Sequence, residues 1–151
     1  ELLEEIAVLE GAIEELCEES ELARRLRSIP GFGATSAAEL AGEIGTLNRF
    51  PGEASLALYL GMCPLDKQSG QFHGTSSPRQ VNRRAKAAMM TAVARHIERV
   101  PESRLYYEKK RAEGKKHNQA VRALGRHLVH VMWSMLSQEW DYELRETPCP
   151  T

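Results

Sequence analysis

Apolar residues recur at spacings of three and four along nearly the whole chain, and the one long interruption runs from Met62 to about Pro78. A stripe with that period can be buried only on a helix, so the chain is committed to packed helices. The opening stretch sets Leu2, Ile6, Leu9, Ile13 and Leu16 at alternating steps of four and three with Glu on the flanks, a heptad seam two repeats long. Gly11 weakens that helix by roughly 1 kcal/mol without excluding it. Ser20 reads as the N-cap of a short helix through Leu22, Leu26 and Arg27. Pro30 stops it, and Gly31 and Gly33 allow a tight turn before a second helix from Thr35 or Ser36 to about Ile44. This is the pattern of a helix-hairpin-helix. Outward backbone amides on a Gly-rich turn, beside the positive end of a helix, suit a phosphate whatever the base sequence, which makes Gly31 and Gly33 candidate phosphate ligands.

After a break at Asn48–Gly52, Glu53 to Leu60 predicts a short helix ending at Gly61. The interruption that follows is rich in hydroxyls and turn formers, including Gln68-Ser69-Gly70-Gln71-Phe72-His73-Gly74, and suggests a loop or small two-stranded ribbon. Gln80 to about Arg99 predicts a long helix burying Ala85, Ala88, Met89, Ala92, Val93, His96 and Ile97. Pro101 opens another through Tyr106 and Tyr107 to Glu113, and Asn118 to Gln138 makes the last, with Val121, Leu124, Leu128, Val131, Met132 and Met135 inward. The expected class is therefore all-α: the end of a coiled-coil helix over 1–19, a helical domain over 20–138, and a frayed tail over 139–151.

At 151 residues the chain is about one domain, and no segment approaches the roughly 18 uncharged apolar residues of a membrane helix. Three cysteines at wide spacing fit neither a disulfide framework nor a zinc knuckle, and point to a reducing cytoplasm. An acidic start at Glu1, with no initiator Met or leader, reads as a piece of something longer. The net charge of −1 hides a polarity: residues 1–21 hold nine Glu and no Lys or Arg, whereas Lys67 to Arg126 hold fifteen Lys or Arg against four Glu. A polyanion would find a foothold on the second stretch.

The order of short motifs is specific. A Pro-Gly-x-Gly hairpin precedes Glu43-Ile44-Gly45, Arg49-Phe50-Pro51, Leu58-x-Leu60-Gly61-x-x-Pro64, Gln68-Ser69-Gly70 and Asn82-Arg83-Arg84. From about Leu26 to about Leu136 this resembles the C-terminal domain of the insertion-sequence-110/116/902 transposase family. That family pairs such a domain with a coiled-coil linker and an acidic nuclease-like domain, and its members are DNA recombinases guided by a structured RNA. The resemblance implies that Ser69 is the nucleophile, attacking a DNA phosphodiester to give a phosphoseryl intermediate. It implies DNA and a guide RNA as partners, homo-oligomers through the heptads, a bacterial nucleoid-associated setting, and Mg²⁺ held on the absent acidic domain with no cofactor in this chain. Lys67, Arg79, Asn82, Arg83 and Arg84 are the nearby donors for a scissile phosphate, and His73 a proton acceptor. The chain departs from the family at Val81, where a Gly is usual, and over Ser77-Pro78-Arg79-Gln80.

Other polar residues read more plainly. Ser76 and Ser77 suit turns, His96 a satisfied core position, and Tyr106, Tyr107 and Trp133 packing. His127 and His130 stand three apart without a third metal ligand. The competing functional reading is a noncatalytic helix-hairpin-helix module that binds DNA and dimerises. A hairpin-type glycosylase fits less well, because the helix after the turn offers only Glu39 and Glu43.

Overall fold

In a computed structural model the described residues are 1–63 and 81–143, and they form seven α-helices and one 3-10 turn with no strand among them. The order is α1 (Leu2–Glu19), α2 (Glu21–Arg27), α3 (Ala34–Ile44), the 3-10 turn Leu47–Arg49, α4 (Glu53–Tyr59), α5 (Arg83–Arg99), α6 (Pro101–Ala112) and α7 (His117–Gln138). The expected ribbon between Met62 and Pro78 falls almost wholly on residues 64–80, outside the described residues.

The helix boundaries follow the local chemistry. The Ser20 hydroxyl accepts from Ala23 N–H at 3.2 Å and starts α2. Asn82 Oδ1 accepts from the amides of Arg84 and Ala85, both at 3.0 Å, so α5 begins at Arg83. Pro101 has no N–H to continue α5 and instead occupies the first turn of α6. Gly114, at φ +93°, turns the chain out of α6, and Gln119 Oε1 accepts from Lys116 N–H to open α7.

One core joins these helices. Leu26, Leu40, Ile44, Leu56, Met89, Val93, Met132 and Met135 are all fully buried in it. Each such side chain contributes roughly 1.5–3 kcal/mol over exposure. Of the predicted inward residues, Ala88 and Val131 are only partly buried. α3 runs antiparallel to α5 and is tied to it at both ends, by Pro30 against His96 and by Glu43 against Asn82. Met62, after α4, lies where a Cβ on Gly125 of α7 would be, so α4 and α7 close the far side.

The expectation of a frayed tail needs restating. The tail is packed at its start: Tyr142 N–H donates to Ser28 Oγ at 2.9 Å and its ring meets His96 edge-on, so residues 140–142 belong to the core's rim. The opening heptad does form a helix, but only Cys17 of α1 is buried, while Leu2, Leu9 and Leu16 are 70%, 63% and 61% exposed. A two-bond pairing of Arg27 with Glu14, at 2.9 and 3.1 Å, fixes the C-terminal half of α1 to α2.

Candidate nucleic-acid interface

The hairpin uses its two glycines differently. Gly31 is buried at φ +90°, and a Cβ there would lie 2.3 Å from the backbone N of His96 and 2.7 Å from the carbonyl carbon of Arg95. It is therefore the residue that lets the turn lie flat on the backbone of α5. His96 Nδ1–H donates to Pro30 C=O at 2.7 Å, which fixes the tautomer, and Nε2 accepts from the Ser103 hydroxyl at 2.9 Å. Burial holds the His96 pKa below its ordinary value, so the ring is a neutral clamp between hairpin, α5 and α6.

Gly33 has φ −74° and is the N-cap of α3 with no side chain capping it. Ala37 N–H closes the first helical bond onto Gly33 C=O, so the amides before it are those a helix leaves for outside partners. The Arg95 guanidinium reaches this spot, Nη1 lying 3.8 Å from where a Gly33 Cβ would be. Arg84 and Arg95 are eleven residues apart, three helical turns, and so share one face of α5 about 16 Å apart along its axis. Arg83, Arg84, Arg95 and Arg99 are all exposed and make no ion pair among the described residues.

Asn82 stands at the other end of that row. Its Nδ2 donates to Glu43 Oε2 at 2.7 Å and to the Tyr59 hydroxyl at 2.8 Å, while its backbone N–H donates to Tyr59 C=O at 2.9 Å. With Oδ1 already capping α5, its carboxamide is committed to protein partners. Tyr59 O–H donates to Glu43 C=O, and Arg49 Nη1 donates to the carbonyls of Glu43 and Ile44 at 3.0 and 2.8 Å. The same guanidinium lies 5.4 Å from the ring centroids of Phe50 and Tyr59. The segments Glu43-Ile44-Gly45, Arg49-Phe50, Leu58-x-Leu60 and Asn82 thus meet in one knot, which closes the end of α3 and pins together the two flanks of residues 64–80. Ser69, Lys67, Arg79, His73, Ser76 and Ser77 all lie outside the described residues.

The remaining histidines are held separately. His130 Nδ1 meets Glu53 Oε2 at 2.7 Å, and Arg126 pairs with the other oxygen. His127 Nε2 meets the Tyr106 hydroxyl at 3.1 Å, and His117 Nδ1 the Tyr107 hydroxyl at 2.7 Å. The hydrogen bonds of His130 and Arg126 hold the Glu53 carboxyl below its usual range. Among the described residues no three His, Cys, Asp or Glu side chains converge as a Mg²⁺ site would need, and no helix is long and apolar enough to cross a membrane.

A family model for the transposase IS116/IS110/IS902 family matches residues 23–108, from α2 through most of α6. The chain belongs to that family. It is 39% identical over 143 residues to a 43.6 kDa protein of insertion element IS110 from Streptomyces coelicolor, covering 94% of this chain and 35% of that protein. A 42 kDa protein of insertion element IS900 from Mycobacterium paratuberculosis is 38% identical over 91% of the chain and 35% of its own length. The transposase for insertion sequence element IS1111A of Coxiella burnetii is 22% identical, over 92% of the chain and 39% of its own length. The chain therefore spans about a third of the length of these relatives. Within the transposase family's matched stretch, Arg95 beside Gly33 and Tyr59 against Asn82 are contacts of the candidate site that sequence reasoning did not single out. Tyr59 occupied an unremarked position between two leucines, and Arg95 was legible only as the partner of Arg84 eleven residues earlier.

Proposed function

We propose that this chain is the DNA-binding and nucleophile-supplying part of a transposase, with Ser69 as the attacking group. Family membership supports the transposase role. The observation that carries the finer reading is the row of exposed arginines on α5, which make no ion pair among the described residues and include Arg95 beside Gly33 at the uncapped start of α3. Arginine beside unsatisfied amides is a donor set for phosphate oxygens and reads no base. Arg83 and Arg84, first on α5, follow directly on the flank that Asn82 pins, so the same row extends from the hairpin to the segment that carries Ser69.

In this mechanism DNA lies along α5 with phosphates on Arg95 and the α3 amides at one end and on Arg83 and Arg84 at the other. Lys67 and Arg79 add positive charge next to Ser69 in sequence. The Ser69 oxygen forms a bond to phosphorus as a sugar oxygen leaves with its electron pair. The serine proton passes to a base, for which His73 is the nearest histidine in the sequence, and the leaving oxygen takes up a proton. A free DNA hydroxyl then attacks the same phosphorus and releases the serine. The arginines stabilise the charge on the equatorial oxygens at both steps. Mg²⁺ is assigned in this proposal to carboxylates outside the chain. A structured guide RNA, and pairing of subunits through the exposed seam of Leu2, Ile6, Leu9 and Leu16, belong to the same reading.

The test uses the full-length protein and end-labelled element DNA. Wild type should give a band of covalent protein–DNA adduct that survives denaturant, and Ser69→Ala should lose it while still shifting DNA on a native gel. Adduct formation by Ser69→Ala would eliminate Ser69 as the attacking group, and absence of any adduct from wild type would leave the noncatalytic binding module.

A further inference from the structure

A second concentration of charge lies where α6 turns into α7, beyond the residues 23–108 that the family model matches. Between Lys109 and Arg126 the chain carries seven Lys or Arg and one Glu. Two of these are spoken for, since Lys110 pairs with Glu113 at 3.1 Å and Arg126 with Glu53. Lys109, Arg111, Lys115, Lys116 and Arg122 make no ion pair among the described residues, and the first four are exposed. The corner is built, because Arg111 Nη1 donates to Lys115 C=O at 3.1 Å across the turn that Gly114 makes, so the last turn of α6 and the first of α7 hold their cations together.

We infer that this corner is a second DNA contact, gripping the phosphate backbone of a duplex whose other contact is the α5 row; it rests on the DNA-binding reading above. Three observations select that partner. The residues between the cations are Ala112, Glu113, Gly114, His117 and Asn118, all exposed and none a large apolar anchor of the kind a protein interface centres on, and the exposed Leu105 lies a full turn before Lys109. The nearby aromatic rings are engaged, Tyr107 with His117 and Tyr106 with His127 and Lys110, so no free ring is offered for stacking the bases of a single strand. Cations without stacking or anchoring groups match repeated phosphates. The distance also suits one duplex: α6 starts beside His96, at the hairpin end, and its twelve residues carry the corner about 18 Å away, roughly five base steps.

The test titrates a fluorescein-labelled random-sequence DNA duplex of about 30 base pairs with the 151-residue chain at several salt concentrations and reads anisotropy. Lys109→Gln/Lys115→Gln/Lys116→Gln should weaken binding by about tenfold or more at low salt and lower the slope of log K against log salt by about 2–3, with unchanged far-ultraviolet circular dichroism. An unchanged affinity and slope would overturn the corner as a contact. Arg84→Gln/Arg95→Gln, measured in parallel, separates the two surfaces: loss with this pair alone leaves the α5 reading standing without the corner, and loss with the lysine triple alone does the reverse. A deficit confined to an RNA duplex would overturn DNA as the partner, and failure of the unaltered chain to bind the DNA duplex at low salt would remove both.

Discussion

Replacing Gly31 by Ala should unseat the hairpin. A methyl group at Gly31 would meet three backbone atoms of α5, the His96 N at 2.3 Å and the His96 Cα and Arg95 carbonyl carbon at 2.7 Å, none of which can rotate aside. A side chain at φ +90° adds roughly 1–2 kcal/mol of backbone strain. Relief by lifting the turn separates Pro30 C=O from His96 Nδ1–H, leaving a buried donor unpaired at about 1–3 kcal/mol, and overpacking that is not relieved costs a similar amount. The total is about 2–5 kcal/mol out of the 5–15 kcal/mol typical of a domain. At roughly 2–4 °C per kcal/mol, the melting temperature should fall by about 4–20 °C. Gly33→Ala is the control, because φ is −74° there and the nearest atom is the end of the flexible Arg95 side chain, so its cost should stay under about 1 kcal/mol. Thermal and urea unfolding of the two variants check this. Equal stabilities, or a Gly31→Ala midpoint within about 2 °C of wild type, would refute the packing role given to Gly31.

Four further outcomes follow from the contacts. His96 is held neutral, so an unfolded chain binds a proton below pH 6.5 that the folded chain refuses; stability should be full above that pH and decline below it by up to about 1.4 kcal/mol per pH unit, and His96→Asn should flatten the slope in urea titrations from about pH 7 to 5. Asn82→Asp keeps an acceptor for the α5 cap but sets a carboxylate against Glu43, so it should destabilise by about 2 kcal/mol or more at neutral pH and recover on acidification as one carboxyl takes a proton, read by melting temperature against pH. Glu53 is held below its usual range, so its contribution is present above pH 4.5 and lost on acidification; Glu53→Gln should remove that loss from the acid limb of the unfolding curve. Leu9→Gln on α1 should change unfolding by less than about 0.5 kcal/mol, because the side chain is 63% exposed.

The helices were legible because their apolar period and punctuation agree: Ser20 caps, Pro101 stops and starts, and Gly114 turns as elementary rules require. His96 could be assigned to the core from its place on the apolar face of α5. What the sequence could not disclose are contacts between distant residues. Nothing local distinguishes Gly31 from Gly33, since the difference is made by α5, some sixty residues later. Asn82 joins the candidate phosphate donors only through the family resemblance, whereas its amide is taken up by Glu43 and Tyr59. The segment after Gln138 read as frayed for want of a helical period and for its prolines, yet Tyr142 docks on Ser28 and His96 through one backbone bond and one ring contact. The exposed leucines of α1 are the reverse case: the heptad is plain in sequence, and the fold leaves it uncovered.

The most direct measurement is to trap the protein–DNA adduct formed by the full-length protein, digest both components, and sequence the modified peptide by mass spectrometry. The account predicts a nucleotide remnant on Ser69 alone. A remnant on Ser76, Ser77, Tyr106 or Tyr107, or an unmodified 64–80 peptide from an adduct-bearing protein, would contradict it.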